Sequence, residues 1–169
     1  GYSLSIDGTV MNKDTLPPSP SGQSGKFLYS DGTNLTWSVA GPKSMQQFIS
    51  NGTWTKPNGI TKVLVMVQGG GGAGSGHAES GGAGGYTEKL IDVTSVTSVN
   101  VTVGAGSTSW SYYAGAGGGG ASSSFGSYCS ATGGKGANTT NQHCGGLPGV
   151  GSGGDINLYG GGGTGHMSW

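Results

Sequence analysis

The sequence predicts an all-β protein: a glycine-rich domain with polyproline II-type glycine tracts, preceded by a short extended connector. Three observations support this prediction. Short segments either alternate apolar and polar residues or cluster β-branched ones, as strands do. Asn-Gly and Asp-Gly pairs, which are typical of hairpin turns, stand between such segments. Of the 169 residues 40 are glycine, and helical periodicity of useful length is absent.

Glycine content divides the chain into two regions. Only eight of the 40 glycines precede Val67, and the other 32 lie between Gly69 and Gly165. We therefore expect a connector over residues 1–46 and a glycine-rich β domain over residues 47–169.

The connector reads as two hairpins joined by a linker. Asp7-Gly8 and Asp31-Gly32 each stand between strand-like residues. Residues 16–22 are rich in Pro and Ser, which favours an extended backbone. Such a connector has too few core residues to be stable alone, so we expect several chains to intertwine.

The glycine-rich region opens with predicted strands. Residues 48–54 read as a strand, an Asn-Gly turn and the start of a second strand. Residues 63–67 are continuously apolar, which predicts a central strand covered on both faces. Residues 86–93 and 96–103 are predicted as further strands because their side chains alternate.

From residue 104 onward, short anchors alternate with glycine tracts, among them residues 115–121, 145–154 and 160–165. Two interpretations stay open. The tracts are flexible linkers, or they are extended three-residue-per-turn helices that pack side by side on a β scaffold, because nothing projects from their Cα atoms.

One motif suggests a nucleotide site, but its context does not. Gly69, Gly71 and Gly74 have the G-x-G-x-x-G spacing, and Asp92 follows about twenty residues later. The fingerprint needs a helix after the glycines, because the helix N-terminus binds the phosphates. The residues after Gly74 contain too many glycines for a helix. We therefore expect no nucleotide cofactor.

Charge and composition exclude further function classes. Seven Lys and no Arg balance seven acids, which argues against nucleic-acid binding. No segment approaches eighteen apolar residues, so membrane insertion is not expected. The carboxylates are scattered, and the three histidines lack the spacing of a zinc site. We expect a protein that is not an enzyme and has no catalytic residues, metal or cofactor.

Recognition is the remaining chemistry. Trp110, Tyr112 and Tyr113 stand among serines and glycines, the composition of adaptable binding loops. The alternative is that these rings cover the glycine tracts or the end of a sheet. Further candidate receptor contacts on the same logic are Tyr128, Asn141, Gln142, His143 and Tyr159.

The chain has two cysteines, Cys129 and Cys144. An oxidising environment would allow a disulfide between them. Two half-buried thiols fit the sequence equally well.

Two stretches resemble bacteriophage tail-fibre proteins. GQSGKFLYSDGTNLTW (22–37) resembles their recurring linker, and FISNGTWTKPNGITKVLVMVQGGGGAG (48–74) resembles the opening of the glycine-rich domain at fibre ends. The resemblance covers roughly residues 22–137. It implies a non-enzymatic, β-sandwich-like tip module on the virion, in a homotrimeric fibre with other fibre proteins, that binds a protein or glycan receptor on the host surface.

The resemblance also implies a valine-rich strand after the last glycine tract. The sequence ends in GHMSW without one. Either the chain is truncated there or its sheet closes differently. A separate hypothesis from composition is a self-assembling extracellular filament or surface layer without a receptor.

Overall fold

The computed structural model describes residues 4–6, 9–11, 21–30, 35–39, 41–42, 44–76, 79–109, 117–138 and 144–165. In these ranges the protein is all-β and contains no helix. The chain divides into two compact units, Gly1–Gln47 and Phe48–Trp169.

The first unit contains two hairpins. Strands β1 (Leu4–Ile6) and β2 (Thr9–Met11) pair antiparallel, as do β3 (Lys26–Ser30) and β4 (Leu35–Val39). Both hairpins confirm the prediction from the Asp-Gly pairs, although the turn residues themselves lie outside the described ranges.

The second unit contains a three-stranded and a five-stranded sheet, both antiparallel. The three-stranded sheet has the order β12-β7-β6 and the five-stranded sheet the order β11-β10-β9-β8-β5. Their strands are β5 (Gly52–Thr55), β6 (Lys62–Gln68), β7 (Tyr86–Asp92), β8 (Ser98–Thr102), β9 (Ser123–Phe125), β10 (Cys129–Ala131), β11 (Gly151–Ser152) and β12 (Ile156–Leu158).

The two sheets pack through side chains from alternate strand positions. The rings of Trp54 and Phe125 meet edge to face, with centroids 5.7 Å apart. Val93 and Ala131 are fully buried. Buried members of the core are Trp54, Val67, Ile91, Val93, Val99, Phe125, Cys129 and Ala131.

Two predicted strands differ from the structure. The strand β6 is an edge strand of its sheet and not a central one, and its Leu64 and Met66 side chains are exposed. The prediction of a strand covered on both faces was therefore wrong. The strand predicted at residues 48–50 is absent, and the first strand of this unit begins at Gly52.

Beyond the sheets, the glycine-rich segments form a packed array. We number seven tracts in chain order: tract 1 (69–75), tract 2 (79–85), tract 3 (104–109), tract 4 (117–122), tract 5 (132–138), tract 6 (144–150) and tract 7 (160–165). Tracts 1, 2 and 7 continue the strands β6, β7 and β12, and tracts 3 to 6 continue β8 to β11.

Backbone hydrogen bonds join the tracts with a three-residue repeat. In tract 1 the amides of Gly69 and Gly72 donate to tract 2, whereas those of Gly70 and Ala73 donate to tract 4. The same interval recurs in tract 2, whose Gly82 and Gly85 amides donate to tract 5, and in tracts 4 to 7. A repeat of three, with hydrogen bonds made between neighbours, is what extended helices of the polyproline II type give. The packed-helix alternative is therefore the one that the structure has.

The tracts lie in two rows, one continuing each sheet of the sandwich. The two rows are joined in a different way from the two sheets. In the sandwich the sheets meet through side chains, because stacked sheets lie about 10 Å apart. In the array the rows bond directly through the backbone: the Gly70 amide donates to Ala121, the Gly134 amide to Gly70, and the Gly149 amide to Ala83. Tracts 1, 2 and 7 thus form one row, and tracts 3 to 6 form the other.

This close approach requires glycine. A Cβ atom at Gly134 would overlap the carbonyl group of Gly82, and one at Gly72 would overlap that of Lys135. The tract glycines do not have positive φ, so space and not backbone freedom excludes a side chain. Gly161 is an exception, since a Cβ there would meet nothing within 4 Å.

We predict that Gly134→Ala destabilises the protein and Gly161→Ala does not. The added methyl group at position 134 must push tract 2 away, at the hydrogen bond that Gly72 donates to Gly82. Overpacking of this kind costs about 1–3 kcal/mol or more. Urea denaturation of both variants measures the difference. Equal midpoints for the two variants would show that the rows are not in contact.

Candidate recognition site

Each of the seven tracts has one end remote from the sheets. The chain leaves each strand into tracts 1, 3, 5 and 7, and returns to a strand from tracts 2, 4 and 6. The described residues that flank the links between tracts 1 and 2, 3 and 4, and 5 and 6 are therefore all at the far end, where the described part of tract 7 also ends. We call this the distal end of the array.

Hydrogen bonds join the tract ends there into one layer. The Gly118 amide donates to Ser109 (2.9 Å) and the Gly117 amide to Ala137 (2.7 Å), which ties the ends of tracts 3, 4 and 5. Asn138 and Cys144 exchange two backbone hydrogen bonds, of 3.0 and 3.1 Å, across tracts 5 and 6. The flanks of two connections are thus fixed relative to each other.

The other tract ends join the same layer. The Ser75 amide donates to the Glu79 carbonyl at 2.9 Å, which closes tracts 1 and 2. The Ser80 amide donates to Thr164 at 3.0 Å, and the Thr164 amide donates to the Ser80 hydroxyl at 2.7 Å. Each connection therefore begins and ends on a hydrogen-bonded backbone.

The distal end carries little exposed charge. Glu79 is the one carboxylate in the tracts; it is only 2% exposed and accepts a hydrogen bond from the Ser75 hydroxyl. Ser109, Asn138 and Thr164 present uncharged polar groups. The one cation of the tracts, Lys135, is exposed in tract 5. A ligand at the distal end would therefore meet mainly hydroxyl, amide and backbone groups.

A family comparison agrees with this architecture. The model of the glycine-rich domain family matches residues 45–168. The chain belongs to the glycine-rich domain family. No curated protein sequence and no solved structure matches it.

Six of the sequence-predicted contacts of this glycine-rich domain lie outside the described residues: Trp110, Tyr112, Tyr113, Asn141, Gln142 and His143. They belong to the links between tracts 3 and 4 and between tracts 5 and 6. The described flanks of these two links are tied together at the distal end by the Gly117 to Ala137 hydrogen bond.

The structure does not place the other two candidates at the distal end. Tyr128 follows β9 in the turn to β10, on the side of the strands away from the tracts, where it packs on Phe125 with centroids 6.1 Å apart. Tyr159 lies at the junction of β12 and tract 7, is 73% exposed and bridges to Val150.

Cys129 and Cys144 are not joined by a disulfide in the glycine-rich domain. Cys129 is buried in the core, whereas Cys144 is exposed and bonded to Asn138. At about 3.1 Å per residue the extended chain from Cys129 to Asn138 covers roughly 28 Å. A disulfide needs Cα atoms within about 7 Å.

The described part of the chain has neither a metal-binding cluster nor a membrane-spanning helix. Its His, Cys, Asp and Glu side chains form no group of three or more that could hold a metal ion. None of its segments is a helix long and apolar enough to cross a membrane.

Sequence reasoning missed the buried Glu79 and the Ser80–Thr164 pair. The hydroxyl oxygens of this pair are 3.1 Å apart although the residues are 84 positions apart in the chain. A tract that lacks side-chain periodicity gives no signal of its partner, so only the tertiary structure shows these contacts.

We predict that one thiol per folded chain, that of Cys144, reacts rapidly with an aromatic disulfide reagent. Burial raises the pKa of the Cys129 thiol, so both its shielding and its lower thiolate fraction slow its reaction. Cys144→Ser should remove the fast phase, and Cys129→Ser should leave it unchanged. A fast phase that persists in Cys144→Ser would contradict this assignment.

Proposed function

We propose that this protein is the distal, receptor-binding part of a bacteriophage tail fibre, and that it acts on the virion outside the host cell. Two features support the proposal. Residues 22–37 and 48–74 resemble tail-fibre proteins in sequence, and the family match covers residues 45–168. The family alone does not specify a virion role, so the fibre assignment rests on the resemblance.

The observation that carries the recognition role is the common anchoring of the links at the distal end. Recognition loops bind best on a rigid scaffold that fixes their ends, because less conformational entropy is then lost when the loop binds its ligand. Here the flanks of each link are held by backbone hydrogen bonds, such as Asn138 with Cys144. Sequence in the links can vary without disturbing the array.

The chemistry of the links and the distal end indicates the class of receptor. Trp110, Tyr112 and Tyr113 offer aromatic faces, and Asn141 and Gln142 offer amides. Aromatic and amide groups suit a glycan or an uncharged protein loop on the host surface. With little exposed charge on this scaffold, binding should depend weakly on salt.

The connector supports an oligomeric fibre, which we propose is a homotrimer. Two-stranded hairpins are marginal on their own, and Phe27 and Leu28 of β3 are 45% and 42% exposed. Neighbouring chains would cover these side chains. The same fibre would contact other virion fibre proteins through this connector.

A second candidate function is a self-assembling extracellular filament without a receptor. The observation that favours it is the exposure of large aliphatic side chains on the glycine-rich domain, among them Leu64 and Leu90. Turbidity that keeps rising as the protein concentration is raised would indicate open-ended assembly and would support the filament. A finite oligomer would support the fibre tip.

The test of recognition is competition. Purified chain should bind host cells and block adsorption of the phage that carries it. A variant with Trp110, Tyr112 and Tyr113 changed to alanine should need at least about tenfold more protein for half-maximal block, because loop aromatics dominate such interfaces. Flow cytometry with labelled chain measures the binding directly.

The control is Tyr159→Ala, which removes an exposed aromatic ring away from the distal end. It should compete like the unchanged chain. Equal loss in both variants, or no block by saturating wild-type chain, would reject recognition at the distal end. Matching thermal transitions of the variants exclude unfolding as the cause.

A further inference from the structure

The outer side of the three-stranded sheet is unusually apolar. Register pairs Leu64 with Leu90, Met66 with Glu88, and Glu88 with Ile156, so these side chains share one face of the pleat. Five large apolar side chains on this face are 50% or more exposed: Leu64, Met66, Leu90, Ile156 and Leu158. Together we call them the aliphatic face.

The five-stranded sheet of the same sandwich provides an internal comparison. The positions that face away from its core carry only small polar residues, namely Thr53, Thr55, Ser98, Asn100, Thr102, Ser124, Ser130 and Ser152. An outer face of an antiparallel sheet is normally polar in this way, because it meets water. The aliphatic face departs from this pattern within one domain.

The size of the aliphatic face fits an interface. Five side chains that are half exposed or more present on the order of 500 Å² of apolar surface, the upper part of the range for one patch on a monomer. Two such faces packed together remove at most about 1,000 Å² from water, the area at which specific interfaces begin. Polar residues surround the face: Lys62, Gln68, Tyr86 and Asp92, as a rim surrounds an interface core.

Charge placement favours a second copy of this chain across a two-fold axis. An axis parallel to the strands and between β6 and β7 exchanges cross-strand partners, so Leu64 meets Leu90 of the other copy. Ile156 and Leu158, on β12, then lie at the border of the contact. The same axis places Lys62 opposite Asp92 of the other copy. Glu88 then faces Met66, and its carboxylate keeps the hydrogen bond that it accepts from the Tyr86 hydroxyl (2.5 Å).

A three-fold arrangement fits this face less well. The strand β7 is the middle strand of the sheet, so it would lie nearest a three-fold axis. Glu88 and Asp92, both on β7, would then meet their own copies, and like charges repel. The neutral chain has no net charge that would oppose pairing.

We infer that two copies of the glycine-rich domain pack face to face through the aliphatic face. This contact does not rest on receptor binding, and it involves a different unit from the proposed connector trimer. A chain that makes only the sheet contact is a dimer and one that makes only the connector contact is a trimer. One that makes both forms six chains in the smallest closed assembly.

Light scattering coupled to size exclusion, across micromolar concentrations of the full chain, tests the inference. We expect a mass of two or six times the 16.5 kDa of one chain. Leu64→Lys and Leu90→Glu should each raise the dissociation constant of the pair by at least about tenfold. Leu147→Glu changes a leucine that is 71% exposed in tract 6 and should have no effect.

Mixing the two variants distinguishes loss of the contact from loss of folding. Leu64→Lys and Leu90→Glu chains, each dissociated alone, should associate when mixed, because the introduced lysine of one copy then faces the introduced glutamate of the other. A monomer or a trimer of wild-type chain would overturn the inference and leave the face to a different protein. Insensitivity to both substitutions, or no recovery in the mixture, would also overturn it.

Discussion

The array depends on one constraint: neighbouring backbones must approach closely enough to exchange hydrogen bonds on several sides. Only glycine permits this at the positions where a Cβ would point into the next tract. The Gly82 carbonyl illustrates this, because it accepts from Gly72 while lying where a Cβ of Gly134 would be. Glycine loses more conformational freedom on folding than any other residue. The inter-tract hydrogen bonds and the sandwich, which fixes where each tract starts, together offset that loss.

The order of strands in the sheets determines the order of tracts. Because β6, β7 and β12 are neighbours, tracts 1, 2 and 7 leave the sandwich side by side, and the same holds for tracts 3 to 6. The sandwich needs side chains such as Trp54 and Phe125 to join its sheets, whereas the array joins its rows through the backbone. An array built this way has few side chains available for chemistry. Its functional groups are therefore confined to the links and to the outer faces of the sheets.

The sequence predicted those elements whose side chains carry a pattern. The Asp31-Gly32 pair located the hairpin of β3 and β4, and alternation located β7 and β8. The apolar run at residues 63–67 was misinterpreted, because periodicity does not distinguish a buried strand from one whose outward Leu64 and Met66 are exposed. Glycine tracts have no side-chain pattern, so their packing and partners could not be predicted. For the candidate site, the links were foreseen as binding loops, but the packing of Tyr128 on Phe125 is tertiary and was not.

Amide hydrogen exchange, resolved by residue, tests the packed array most directly. The amides of Gly70, Gly82, Gly134 and Gly149 donate between the two rows. They should exchange at least on the order of a thousandfold more slowly than in an unstructured chain. They should also become exposed in the same cooperative opening as the amides of β6 and β7. Exchange at these four glycines near the unstructured rate, while the strand amides stay protected, would show that the tracts are flexible linkers and would contradict the account.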